Sequence, residues 1–183
     1  LWVIEHAFHE ARNSGLSLAI NLSAQTMTDP RFLPELEALI ERSGIAPHQI
    51  CFEITESAAM TNMETTRSYI ERLRAQGCRF ALDDFGSGFS SFAYLKTLRV
   101  DYLKIDGSLI RNIETSAEDS ALVHAIVQMA KALGLETVAE FVESPAQASM
   151  LTGLGVTYGQ GYALHRPQPL AELLSLGQSD VLA

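Results

Sequence analysis

From Ser17 to Gly159 the chain alternates short runs of apolar and β-branched residues with longer stretches whose apolar positions recur at helical spacing. That order is the layout of repeated βα units, in which a helix returns the chain so that the next strand is laid down parallel to the last. A helix is predicted over 1–13, with strands at 17–22, 49–54, 78–83, 101–105, 135–140 and 156–159. Helical stretches are predicted at 30–43, 63–76, 90–97, 117–133 and 144–153. Gly44, Gly77, Gly134 and Gly155 each close one of them, as residues able to take positive φ should. The strands read as apolar on both faces, which places them in a doubly wound sheet or a (β/α) barrel rather than an antiparallel sandwich.

Nearly every apolar run ends in a residue able to do chemistry: Asn21, Glu53, Asp83 with Asp84, Lys104 with Asp106, Glu140 and Gln160. In a parallel barrel the C-terminal strand ends share one rim, where residues distant in sequence meet and where barrel enzymes place their active sites. Carboxylates gathered at one spot repel unless they are protonated or neutralised by a cation. A metal site resolves the conflict, and oxygen donors without a Cys or His cluster favour Mg²⁺ or Mn²⁺ over zinc. A carboxylate such as Asp83 can bridge two ions about 3.5 to 4 Å apart, the arrangement of two-metal phosphodiester hydrolysis. Taken singly, each residue has a plainer use. A strand-end Asp or Glu caps the next helix or pairs with a nearby Lys or Arg, Asn21 turns the chain, and Gln160 is a satisfied amide. Their recurrence at successive strand ends is what favours a site.

Lys104 has a second reading, as the Schiff-base lysine of an aldolase barrel, which requires desolvation to lower its pKa. Neighbouring carboxylates would instead keep it protonated, and the aldolase reading leaves them without a role. Directly after the paired aspartates, Gly86 and Gly88 allow the loop to move or to approach a ligand closely. His6, His9, His48, His124 and His165 show no ligand or triad spacing.

With 183 residues, 47% hydrophobic and 19% charged, the chain has the composition of one globular domain over 1–183. A net charge of -9 and a pI near 4.9 exclude a DNA- or RNA-tracking protein, which gains affinity through clustered Lys and Arg. Cys51 and Cys78 lie in separate apolar runs with no CxxC pairing, as buried reduced thiols do, and a cytoplasmic setting is expected. No apolar run reaches the ~18 residues of a membrane span, so any anchor is expected in upstream segments. Leu1 to Phe8 already runs at helical period with neither Met nor an N-cap before it, so the chain reads as cut from a longer one.

The segments Asn21-Leu22-Ser23, Phe52-Glu53-Ile54-Thr55-Glu56-Ser57, the DDFGSGFSS run at 83–91, Tyr94-Leu95-Lys96 and Lys104-Ile105-Asp106 resemble the EAL domain family in order and spacing. The run from Gly134 to Glu143, then Gln160-Gly161-Tyr162 and Arg166-Pro167, extends the likeness over essentially the whole chain. The resemblance implies an α/β fold, a (β/α)8 TIM-like barrel of EAL type with one antiparallel strand. It also implies a phosphodiesterase that hydrolyses cyclic di-GMP to linear pGpG with two Mg²⁺ or Mn²⁺ ions, in bacterial second-messenger signalling. The implied alternative is a catalytically inactive EAL-type receptor or scaffold for the same nucleotide. A homodimer and upstream GGDEF or sensory domains are the family's expectation for partners.

Carried onto this chain, the resemblance makes Asn21, Glu53 and Asp83 ligands of one metal, and Asp83, Asp84 and Glu140 ligands of the other. Lys104 would orient the attacking water or stabilise phosphate charge, with Gln160 supporting the site and Asp106 and Arg166 as outer partners. Glu56 matches the glutamate that steadies the glycine-containing loop. Phe141 departs from the pattern, standing where many relatives have Gly in an AEGVE run. The Glu-Ala-Leu motif itself, with its metal-binding Glu and nearby Arg, and the first two strands are expected upstream of Leu1. The domain is therefore expected to be incomplete at its N-terminus and, with open strand edges, unstable as an isolated piece.

Overall fold

Strand and helix alternate as the apolar periodicity predicts in a computed structural model that describes residues 1–88 and 92–175. The backbone forms two units, Leu1–Phe80 with the segment from Pro167 onward, and Ala81–Arg166. Phe89, Ser90 and Ser91, the end of the DDFGSGFSS run and the start of the helix predicted at 90–97, lie outside the described residues.

In the first unit, α1 (Trp2–Ala11) leads to β1 (Leu18–Asn21), then α2 (Ala24–Thr28), α3 (Phe32–Ser43), β2 (Ile50–Thr55), α4 (Glu56–Thr61) and α5 (Met63–Ala75). β1 and β2 pair in parallel with Asn21 beside Glu53. The core is Phe8, Leu36, Ile50, Phe52, Ile54, Ile70, Leu73 and Phe80, all nearly inaccessible, with the Phe52 and Phe80 rings 5.7 Å apart. Each such side chain contributes about 1.5–3 kcal/mol by leaving water. α3 ends at Gly44, whose φ of 74° is the left-handed conformation that the sequence assigns to it.

β3 (Arg79–Phe85) crosses into the second unit, followed by β4 (Tyr102–Ile105), α6 (Gly107–Ile110), α7 (Ala117–Leu133), β5 (Glu136–Ala139), α8 (Pro145–Leu154) and β6 (Tyr158–Gly159). α9 (Leu170–Ser175) returns to the first unit. The β3–β4, β4–β5 and β5–β6 pairs are all parallel. α8 opens with a full capping box, in which Ser144 accepts from the Gln147 N–H and the Gln147 side chain accepts from the Ser144 N–H, with Pro145 in the first turn.

Three expectations change. Phe92–Lys96 is a 3₁₀ helix rather than part of an α-helix. β1 alternates half-buried with exposed residues and both residues of β6 are exposed, whereas the interiors of β2, β3 and β4 are buried as predicted. The reason is pairing: among the described residues β1 has β2 as its one ladder partner and β6 has β5. Finally, short helices α2, α4 and α6 follow strand ends read as loops, each opened by a side-chain cap from Ser23, Thr55 or Asp106.

Candidate functional site

The polar residue after β4, β5 and β6 is held by one further rung of the ladder. In the second unit the Asp106 N–H donates to the Phe85 carbonyl at 3.0 Å, Glu140 to Ile105 at 3.2 Å and Gln160 to Ala139 at 2.8 Å. In the first unit the Leu22 N–H donates to the Glu53 carbonyl at 2.8 Å, extending the β1–β2 ladder past Asn21. Residues chosen by the sequence for their position at strand ends are thus fixed there by backbone, before their side chains make any contact.

Two consecutive aspartates on a regular strand would point to opposite faces. β3 avoids this with a bulge: Leu82 pairs with Leu103 and Phe85 with Ile105, so Asp83 and Asp84 together stand opposite the single residue Lys104. Asp84 takes a left-handed φ of 58°, and its N–H donates to the Asp83 carboxylate at 3.0 Å. The bulge brings both carboxylates to one side, where ligand oxygens of Asp83, Asp84 and Glu140 all lie within 4.8 Å of one another.

Lys104 is 3% exposed, and its Nζ donates to Glu140 at 2.7 Å and to Asp83 at 2.9 Å. One ammonium does not balance three carboxylates. Burial pushes the Glu140 carboxyl above its ordinary pKa, Lys104 opposes the shift, and Asp83 and Asp84 add to it. Asp84 is raised by burial, then by Asp83 and Asp106, against the pull of Lys104. The arrangement is an electrostatic deficit of positive charge, lined with hard oxygen donors.

The remaining predicted residues fall as follows. Asp106 caps α6, accepting from the Ser108 N–H at 2.9 Å, and bears on Asp84 through its charge. Gln160 lies beside Glu140 on an opening of about 180 Å³ that Phe141, Glu143, Gly161 and Tyr162 also line. The Arg166 guanidinium lies 5.1 Å from the Tyr162 ring centroid. Within the first unit, Asn21 faces a hydroxyl-rich cleft of about 450 Å³ with Ser23, Thr26, Thr55, Ser57 and Thr61, and Glu53 is buried. Glu56 is the first residue of α4, where its charge suits the helix N-terminus. The sequence reading missed the cleft's hydroxyls, although Ser23 and Thr55 carry the signature of helix caps directly after strand ends.

Phe141, the departure from the family pattern, has a φ of 52°. That left-handed backbone is why glycine suits the position. The ring lies against Gly107, where a Cβ would collide with it, and the Arg111 guanidinium stands 4.6 Å from its centroid.

Similarity to known proteins agrees with the geometry. The chain is 39% identical over 180 residues to the cyclic di-GMP phosphodiesterase PdeF of Escherichia coli, covering 96% of this chain and 24% of that protein. It spans about a quarter of the length of the curated relatives it matches. Among solved structures, the MucR phosphodiesterase of Pseudomonas aeruginosa in complex with c-di-GMP superposes with a TM-score of 0.88 at 35% identity, covering 94% of this chain and 72% of that one. Klebsiella pneumoniae BlrP1 in a manganese/cy-diGMP complex gives 0.83 at 31% identity over 91% of this chain and 43% of its own. Of the two architectures that the parallel βα order leaves open, the α/β, TIM-like barrel implied by the EAL resemblance is the one that agrees with these structures. With strand-end carboxylates in place and the EAL domain matched over residues 1–167, the chain belongs to the EAL domain family.

Proposed function

We propose that this chain carries the active site of a metal-dependent phosphodiesterase that hydrolyses cyclic di-GMP to linear pGpG. The observation that carries the proposal is the buried Lys104 bridging Asp83 and Glu140 beside Asp84, in a chain similar to cyclic di-GMP phosphodiesterases. The donor set fits a divalent cation: three convergent carboxylates, two of them with raised pKa, and neither Cys nor His among them. The family's ligand pattern is proposed in full, Asn21, Glu53 and Asp83 for one Mg²⁺ or Mn²⁺ and Asp83, Asp84 and Glu140 for the other. When bound, such ions polarise a phosphoryl oxygen and offset the charge that develops on it.

The chain's own residues supply the rest. Lys104, ion-paired with two carboxylates, orients the attacking water and stabilises charge on the phosphodiester. Glu140, paired with Lys104 at 2.7 Å, is read as the second catalytic group, accepting the proton of that water as the water oxygen bonds to phosphorus and the ester oxygen leaves. Asp106 caps α6, Gln160 lines the opening beside Glu140, Arg166 lies over the Tyr162 ring, and Glu56 is read as the residue steadying the loop after Asp84. The family match spans both units, which supports reading 1–183 as one EAL domain. Homodimerisation, attached GGDEF or sensory domains and a cytoplasmic location are proposed with this function. No described helix is long and apolar enough to cross a membrane.

The test is hydrolysis of cyclic di-GMP by the full-length protein with Mg²⁺ or Mn²⁺, alongside Glu53→Ala, Asp83→Asn and Lys104→Ala. Formation of pGpG by the wild type and its loss in all three variants is expected. Tight binding of the nucleotide without cleavage would replace the enzyme with a receptor.

A further inference from the structure

A buried amide is satisfied only when its oxygen meets donors and its NH₂ meets acceptors, and Gln147, 5% exposed, finds all of these on the backbone. Its Oε1 accepts from the Glu143 N–H at 2.7 Å and from the Ser144 N–H at 3.1 Å. Its Nε2 donates to the carbonyls of Ile110 and Arg111, each at 3.3 Å. The capping box of α8 explains the bond to Ser144. It does not explain the other three, which tie the loop after β5 to the end of α6.

Both ends of this tie lead to the charged cluster. α6 starts three residues after Lys104, where the Asp106 N–H is held by the Phe85 carbonyl. The loop starts at Glu140, whose N–H is held by the Ile105 carbonyl. Between Glu140 and Glu143 the chain passes through the left-handed Phe141, and the Val142 N–H donates to the Gln160 carbonyl at 3.0 Å. The Phe141 ring rests on Gly107 beside the Arg111 guanidinium, so the loop meets Arg111 through both its side chain and its carbonyl. Backbone that changes handedness next to a reacting carboxylate needs its far end fixed, because a misplacement of about 1 Å can cost about 100-fold in rate.

We infer that Gln147 is a positioning residue for the hydrolysis: by clamping the β5–α8 loop to α6 it sets Glu140 against Lys104. The inference rests on the phosphodiesterase reading for the reaction it serves. All four hydrogen bonds go to backbone and none to the cluster, so Gln147 acts through the loop. An amide is required rather than any polar group of that shape. Glutamate would keep acceptors for Glu143 and Ser144 but turn an oxygen toward the two α6 carbonyls, opening the clamp while sparing the cap of α8.

The experiment uses the full-length protein with Gln147→Glu and Gln147→Met, and with Ser144→Ala as a control that weakens the helix start but leaves the clamp. Met keeps the volume without a buried charge and carries the test if Gln147→Glu does not fold. We measure kcat and KM for cyclic di-GMP and the Mn²⁺ dissociation constant, each well below the variant's melting temperature. Both Gln147 variants are expected to lose about 10–100-fold in kcat, the range for groups that orient a metal ligand, with a smaller change in KM and weaker Mn²⁺ binding. Ser144→Ala is expected to melt earlier and keep the wild-type kcat. Folded Gln147 variants that melt earlier yet keep wild-type kcat and Mn²⁺ affinity overturn the inference and leave the phosphodiesterase reading intact. So does a Ser144→Ala protein that loses as much kcat as they do. A wild type that binds Mn²⁺ without cleaving cyclic di-GMP overturns that reading instead. Mn²⁺ affinity then decides the clamp, which stands if Gln147→Met weakens it and falls if it is unchanged.

Discussion

Asp84 concentrates the conflict between stability and chemistry in one side chain. Its carboxyl is raised above the ordinary 3.8 by burial and by Asp83 and Asp106, so ionising it costs the native state more than the unfolded one. That penalty is in force at neutral pH and disappears as pH falls below the ordinary carboxylate range, where both states are protonated. Asp84→Asn keeps a residue tolerant of left-handed φ and removes the charge. In chelator at pH 7 it should melt at a higher temperature than wild type, the gain shrinking toward pH 3. Hydrolysis should fall by about 100-fold, since even outer partners of a metal cost about 10–100-fold. Cys78 tests burial in a different way. Its thiol is pushed up to about 11 by desolvation, so at pH 8 only about one in a thousand folded molecules carries the thiolate. Ellman's reagent should leave Cys78 unmodified until the protein unfolds. Between pH 9 and 11 the unfolded thiol ionises first, so this residue's contribution to stability is lost as pH rises, a slope that Cys78→Ala should flatten.

Among the elements, α8 offers the clearest local energetics, because its start is specified by Ser144, Pro145 and Gln147 and its end by Gly155 at φ 86°. Ser144→Ala leaves the Gln147 N–H without its cap and should destabilise the protein by about 1 kcal/mol, measured by urea unfolding. The stop at Gly155 was read from the sequence, as were the strand-end positions of Asp83, Lys104 and Glu140, whereas the Ser144 capping box was not. The bulge in β3 was not, since a register shift depends on which partner residue stands opposite, and Lys104 is about twenty positions away. Short α2, α4 and α6 also escaped notice, because four to six residues cannot display a helical period. The exposure of β1 and β6 followed from their single ladder partners among the described residues, which an apolar run does not reveal. Phe141 was visible as a departure, but its left-handed backbone and its contact with Gly107 needed three dimensions.

For the molecule as a whole, each unit keeps oxygen donors at the C-terminal ends of its strands within a chain of net charge -9. A bound cation relieves that repulsion only in the folded state, so it should stabilise by mass action, about 2.7 kcal/mol at a hundred times its dissociation constant. Mn²⁺ should therefore raise the melting temperature of the wild type, EDTA should reverse the rise, and Asp83→Asn should abolish it. The enclosure of Lys104 also gives the protein a built-in gauge of its own integrity. The chain has three lysines, of which Lys96 and Lys131 are exposed and Lys104 is 3% exposed. An acylating reagent applied to intact protein would tag the first two and pass over the third. A tag found on Lys104 itself by peptide mass spectrometry would then count the molecules whose strand ends have come apart, whether or not they still hold substrate.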